Sequence, residues 1–377
     1  MKKNKKIIFL TGTRADFGKL KPLMDKIDKS RFFECHVFVT GMHMLSKYGP
    51  TYREVQKEKY KNVFLFRNQN YETEQEIILS NTITGFSKFV KKINPDLIVV
   101  HGDRIEALAG AIVGAFNHIL VAHIEGGEIS GAIDESIRHS VTKLSHIHFV
   151  ANNEARKRLT QLGERKDSIF IIGSPDIEVM KTGNLPSFKH VKKYYSLPFD
   201  KFAIFIFHPV SSELDKLKNQ VKQIVDALIN SKDNYIIIYP NNDEGSDIIL
   251  NELKRIKNNS KFKLYPSLRF QYFLCIMKNS MYIIGNSSAG VREAEVYGIP
   301  TIDIGSRQKN RYKNKDIIHV EPNKAKIQSA IKNIKKKKIK TRNYFGVVLN
   351  SSAHFYKILR SRNIWNISHQ KQFIDLN

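Results

Sequence analysis

Cysteine is scarce in this 377-residue chain, and the two present, Cys35 and Cys275, lie far apart in apolar runs (RFFECHVFV and QYFLCIMK). That excludes a disulfide framework and points to reduced, buried thiols. No Cys/His spacing of a structural zinc site occurs. Long apolar runs are missing as well. Ile7–Leu10 spans four residues before the chain turns polar at Thr11. A signal-peptide core needs roughly 7–15 apolar residues, and a membrane span about 20. A cytoplasmic protein with no membrane contact is therefore expected. Acidic residues are outnumbered, 36 against 62 basic ones, for a formal charge of +26.

Such a charge raises the question of nucleic acid, because clustered Lys and Arg neutralise phosphates. The lysines here are spread along the chain, and the one dense run, Lys335–Lys338, carries no interleaved aromatics. No recognition helix stands out. A solvated lysine-rich surface is the simpler reading, with no nucleic-acid partner, and it supplies a mild attraction for an anionic small substrate.

At this length two α/β domains are expected. Apolar, β-branched runs alternate with amphipathic stretches: KIIFLTG with a helix from Lys19, CHVFVTG, LIVVHGD with Ile105–Phe116, ILVAHIE with Gly131–Ser145, IHFVA, and SIFIIGSPD. This βαβ rhythm predicts a doubly wound parallel sheet. In the helical segment after Glu128, Ile133, Ile137, Val141 and Leu144 mark the expected core stripe. A Pro- and Lys-containing stretch, residues 174–200, reads as a linker. A second βαβ series follows from FAIFIFHPV. The expected organisation is an N-terminal Rossmann-like domain (1–173), the linker, a C-terminal Rossmann-like domain (201–349), and a tail (350–377) packing back on the first, with a cleft between the domains.

Ligands of open α/β sheets bind outside the carboxyl ends of the strands. HGDRIEAL and HIEGGEISGAIDESIRHS place Asp103, Glu125 and Asp134 there. Three carboxylates in one crevice suggest proton transfer, because unpaired buried acids are costly. The bland alternative pairs Asp103 with Arg104 and Asp134 with Arg138. TGTRADFGKLKPL is a strand, a polar turn and a helix that could hold an anion with Arg14 and Lys19, although it is neither a dinucleotide fingerprint nor a Walker sequence. YIIGNSSAGVREAEVYGIP predicts a strand, a turn through Asn286, Ser287 and Ser288, and a helix from Ala289. A diphosphate would sit on that helix terminus, with Glu293 accepting from a ribose diol. Simple capping by a serine is the alternative. His208, in IFHPV, and His43, in VTGMHM, end their strands at equivalent places. Either is a ligand contact or a satisfied structural histidine.

The ordered strings TGTRADFGKLKPL, VTGMHM, HGDRIEALAGA, HIEGGEISGAIDESIRHSVTKLSHIH, IIGSPD, FHPV, YPNND, PSLRF and GNSSAGVREA resemble the hydrolysing UDP-N-acetylglucosamine 2-epimerases, particularly those of bacterial sialic acid synthesis. They span roughly Ile7–Asp303, and WNISHQKQFIDLN at the end is also similar. The segment near Lys309–Asn343 fits least. The resemblance implies a GT-B-like fold, a homodimer, and conversion of UDP-N-acetylglucosamine and water to UDP and N-acetylmannosamine through a 2-acetamidoglucal. No cofactor and no metal is implied. Residue by residue, it implies acidic roles for Asp103, Glu125 and Asp134, and basic roles near the sugar and phosphates for Lys19 and Arg138. UDP contacts are implied for Arg14, His208, Arg269, Ser287, Ser288 and Glu293. The same chemistry on UDP-N,N′-diacetylbacillosamine is an alternative. So is a GT-B glycosyltransferase, although an acceptor site has no need of three carboxylates.

Overall fold

The computed structural model describes residues 4–70, 74–182, 185–311, 314–337 and 339–375. Lys338, the last member of the lysine run, lies outside them. The chain forms two compact units. The first comprises Met1–Glu128, Asp134–Thr182 and Tyr344–Asn377; the second comprises Ile129–Ile133 and Gly183–Asn343.

In the first unit the elements are β1 (Lys5–Thr11), α1 (Arg14–Asp28), β2 (Phe33–Val39), α2 (Tyr52–Lys57), β3 (Asn62–Leu65), α3 (Gln75–Ile93), β4 (Leu97–His101), α4 (Ile105–Phe116), β5 (Leu120–Ile124), α5 (Ile133–Leu144), β6 (Ile147–Val150), α6 (Asn153–Gln161), β7 (Ile169–Ile171) and α7 (Pro175–Lys181). The second holds α8 (Phe188–Tyr194), β8 (Ala203–Ile206), α9 (Leu214–Asn230), β9 (Tyr235–Ile238), α10 (Ser246–Leu253), β10 (Phe262–Tyr265), α11 (Phe270–Lys278), β11 (Ile283–Gly285), α12 (Glu293–Tyr297), β12 (Thr301–Ile304), β13 (Ile318–Val320) and α13 (Lys324–Ile334). The chain then returns to the first unit as α14 (Ser351–Arg360).

The sheets are ordered β3-β2-β1-β4-β5-β6-β7 and β10-β9-β8-β11-β12-β13. Every described pairing is parallel. Both are Rossmann-like, and each reverses direction between its first and fourth strands, at β1/β4 and β8/β11. A parallel sheet covered on both faces needs strands that are apolar throughout. Accordingly, Ile7 and Phe9 enter one core of the first unit while Ile8 and Leu10 enter the other. Ala203/Phe205 and Ile204/Ile206 divide in the same way in the second.

Three local expectations change. Helix α1 starts at Arg14 rather than Lys19, because Thr13 and Asp16 form a reciprocal capping box. Ile133 is 55 % exposed, so the core stripe of α5 rests on Val141, with Ile137 and Leu144 packed beside it. The 174–200 stretch is not an unstructured linker. It contains α7, begun by Pro175 at its first turn, and α8, capped by Ser187. Helix α14 buries Phe355 and Leu359 in the first unit's core, where Phe355 meets Phe9 and Phe149 with ring centroids 6.3 and 4.9 Å apart. No helix among the described residues is long and apolar enough to cross a membrane.

Candidate functional site

In the first unit, the ends of β4 and β5 and the turns that open α1 and α7 supply the polar side chains. Glu125 follows β5 in a left-handed conformation (φ +64°), rare for a residue with a side chain. Gly127 explains the turn. A Cβ there would lie 2.5 Å from the Ala155 carbonyl oxygen, and its φ is +77°. Only glycine passes that point, and the turn leaves the Glu125 side chain beyond the sheet's end.

There the Glu125 carboxylate accepts from the Ser174 hydroxyl and lies 3.2 Å from Nε2 of His101. Lys19, on the second turn of α1, brings Nζ within 3.7 Å of Glu125 Oε2 and 3.1 Å of Asp176 Oδ2. Asp103, just past β4, accepts from Arg138, whose guanidinium also donates to the Glu128 carbonyl at 3.0 Å. Arg138 is buried, whereas the Asp103 side chain is 27 % exposed. Asp134 lies one turn before Arg138 on α5, half-buried. Two sequence expectations are corrected here. The buried Glu125 and the partly exposed Asp103 each meet a cation rather than standing unpaired, and Arg138 bonds Asp103, while Arg104 bonds Glu106 at 3.3 Å.

The buried histidines nearby are neutral. His123 donates from Nε2 to the Gly102 carbonyl at 2.8 Å and meets Thr142 through Nδ1 at 3.1 Å; burial lowers its pKa to about 3. It thereby fixes the residue before Asp103. His43 is fully buried, with ring nitrogens 3.1 Å from Thr11 Oγ1 and 2.8 Å from Thr51 Oγ1. Burial, helped by the Arg14 charge, lowers it to about 3 as well. His43 is therefore a satisfied structural residue, and the expected ligand contact is corrected. Arg14 bonds Glu54 at 2.6 Å.

In the second unit, Asn286 locks the ends of β8 and β11 together. Its Oδ1 accepts from His208 N–H at 2.7 Å, and its Nδ2 donates to the His208 carbonyl at 2.8 Å. The Asn286 amide is thus spent on the backbone rather than offered to a ligand. The His208 ring accepts at Nδ1 from Asn241 N–H, at 3.2 Å, which leaves its proton on Nε2. The following segment differs from expectation. Ser288–Gly290 is a tight 3-10 turn and α12 begins only at Glu293. Thr301 Oγ1 donates to the Gly290 carbonyl at 2.7 Å, which takes the acceptor that a helix would need. The N–H groups of Gly290, Val291 and Arg292 bond back to Ser287 and Ser288 carbonyls. Ser287 Oγ accepts from Ala289 N–H at 3.4 Å. Glu293 is buried at the head of α12. Arg269 stands at the start of α11 without a side-chain capping bond and lays its guanidinium over the Tyr194 and Tyr272 rings, 4.9 and 5.5 Å from their centroids.

Sequence reasoning missed His101, Ser174 and Asp176. The signal is in the sequence: His101 ends a strand, and SPD follows β7 as GD follows β4, but the Pro- and Lys-containing composition of 174–200 masks it. No cluster of metal-ligating side chains occurs among the described residues.

A carboxylate held between an ammonium, an imidazole and a hydroxyl can take and return a proton. A second one, aimed by an arginine, can act on another face of the same substrate. A sequence profile described as UDP-N-acetylglucosamine 2-epimerase matches residues 25–360. The chain is 48 % identical over 376 residues to a Neisseria meningitidis UDP-N-acetylglucosamine 2-epimerase, covering 99 % of this chain and all of that one. It is 32 % identical over 359 residues to the Escherichia coli polysialic acid biosynthesis protein P7, covering 94 % and 90 %. The Methanocaldococcus jannaschii UDP-GlcNAc 2-epimerase, solved in complex with UDP-GlcNAc and UDP, superposes with a TM-score of 0.79 at 22 % identity, covering 94 % of this chain and 99 % of that one. The likeness identifies the two parallel-sheet units as a GT-B-like fold.

Proposed function

Because this chain belongs to the UDP-N-acetylglucosamine 2-epimerase family, we propose that it is the hydrolysing enzyme, converting UDP-N-acetylglucosamine and water to UDP and N-acetylmannosamine. The C2 hydrogen of the sugar is not acidic, so cleavage of C1–O runs ahead and gives the ring oxocarbenium character. UDP leaves with the bonding pair, the C2 proton goes to a carboxylate, and 2-acetamidoglucal remains. Water then adds its hydroxyl to C1 while a proton arrives at C2 from the opposite face. Configuration at C2 inverts, so acids are needed on two sides. Glu125, Asp103 and Asp134 are the residues proposed for these transfers, with Lys19 and Arg138 neutralising charge as UDP departs. His208, Ser287, Ser288, Glu293, Arg269 and Arg14 are proposed for UDP.

The observation that carries this reading is the pair of cation-backed carboxylates, Glu125 with Lys19 and Asp103 with Arg138, past the adjacent strands β5 and β4. The similarity to the Neisseria enzyme and to P7 supports the substrate and a role in supplying sialic acid. A cytoplasmic homodimer completes the proposal, with light scattering as the check on assembly.

Incubation with UDP-N-acetylglucosamine in deuterated water, followed by NMR, is the test. Free UDP and N-acetylmannosamine deuterated at C2 are expected. UDP-N-acetylmannosamine as final product would overturn the hydrolysing assignment. Turnover confined to UDP-N,N′-diacetylbacillosamine would change the substrate, and sugar transfer to an acceptor would change the reaction class.

A further inference from the structure

Asp176 is fully buried in the first turn of α7, and its Oδ1 accepts from the N–H of Ile177 at 2.8 Å. A neutral side chain could serve that bond. A buried charge needs a further reason, because taking a carboxylate out of water is costly unless a cation meets it. Lys19 meets it, at 3.1 Å, and the same ammonium stands 3.7 Å from Glu125. Two carboxylates therefore share one cation. Among the groups facing Glu125 are Lys19 from α1, His101 from β4, and Ser174 at the start of α7.

Lys19 alone would hold Glu125 in its charged form and make it a weak base. A second anion on the same ammonium acts in the opposite sense. It draws the Lys19 charge toward itself and adds negative potential at Glu125, so the carboxylate binds a proton more readily. We infer that Asp176 is a positioning residue that sets the basicity of Glu125 through Lys19, so that one carboxylate can both accept and return a proton near neutral pH. The inference rests on the reading of Glu125 as a proton-transfer group. It goes beyond that reading in assigning a function to a fully buried residue outside the proposed catalytic set.

The test uses the full-length chain with 13C-labelled glutamate, the Glu125 resonance being assigned by its loss in Glu125→Gln. In Asp176→Asn the Glu125 titration midpoint is expected to fall by about one pH unit, and in Lys19→Met to rise. Asp176→Glu, which restores the charge, should stay near the parent. The acid limb of kcat/KM for UDP-N-acetylglucosamine should move in the same directions. In Asp176→Asn, kcat at neutral pH should drop about tenfold with KM little changed, the mark of a proton-transfer defect. Opposite shifts in the two variants would not come from loosened packing. A folded Asp176→Asn whose Glu125 midpoint stays within about 0.2 units of the parent overturns the inference. Should that variant fail to fold, Asp176→Ser decides: a lowered Glu125 midpoint supports the inference, and an unmoved one overturns it. If the parent protein does not turn over the nucleotide sugar, the proposed function falls, and the titration still decides this coupling.

Discussion

Arg138 and Lys19 offset the charges of Asp103 and Glu125 where they lie. Replacing either carboxylate by its amide, or Asp134 by Asn, should lower turnover at least about a hundredfold, the scale of a lost general acid or base. UDP affinity, measured by isothermal titration, should stay constant in all three. The opposite split is expected for His208→Ala, which should weaken UDP by about 1–3 kcal/mol if its Nε2–H donates to the nucleotide. Acid has a separate target. His43 and His123 lie at about 3 in the folded protein against 6.5 for the free side chain. Between those values the unfolded chain binds more protons than the native one, so stability is complete above about pH 6.5 and is lost as pH falls toward 3. Each ring contributes about 1.4 kcal/mol per pH unit within that window. Urea midpoints should fall accordingly, and His43→Gln should flatten the slope even where it lowers stability at neutral pH.

At the scale of elements, the junction of β8 with β11 depends on Gly285. Its φ is +133°, and a Cβ would come 1.8 Å from the Ile206 carbonyl oxygen. Gly285→Ala should therefore lower the melting temperature by several degrees, a few kcal/mol of strain, and weaken UDP binding by moving Asn286 off His208. Helix α14 gives a second case. Phe355→Ala should cost about 3–5 kcal/mol, as for other large core aromatics, and a chain ending at Asn350 should lose the first unit's cooperative unfolding. Most of this architecture was legible, since runs such as DLIVV and FAIFI announce buried parallel strands. The short pieces were not. Helix α12 is five residues because Thr301, distant in sequence, takes the carbonyl of Gly290. Helix α7 hid in a Pro- and Lys-containing stretch, and Asp176 hid with it. The carboxylates at strand ends could be found by position alone, but their cation partners come from elements that only tertiary packing brings together.

For the molecule as a whole, the excess of 62 basic over 36 acidic residues sets a positive field. A UDP-sugar should feel it on approach, so kcat/KM should fall as salt rises and the Debye length shortens from about 10 Å toward 3 Å, while kcat at saturation holds. Any retention of nucleic acid should vanish over the same salt range. An unchanged kcat/KM would show that the lysines serve solubility alone.

The first unit is drawn from three stretches of chain, and the last of them supplies Phe355 and Leu359 to its core. The second unit is nearly continuous, closing at Asn343. During synthesis, then, the usual precedence of the amino-terminal half is inverted. The unit proposed to hold the nucleotide has all its sequence in hand while the unit proposed for proton transfer still waits on the ribosome for its final helix, and a nascent chain stalled between Asn343 and Ser351 holds the proposed scaffold for UDP with no finished catalyst.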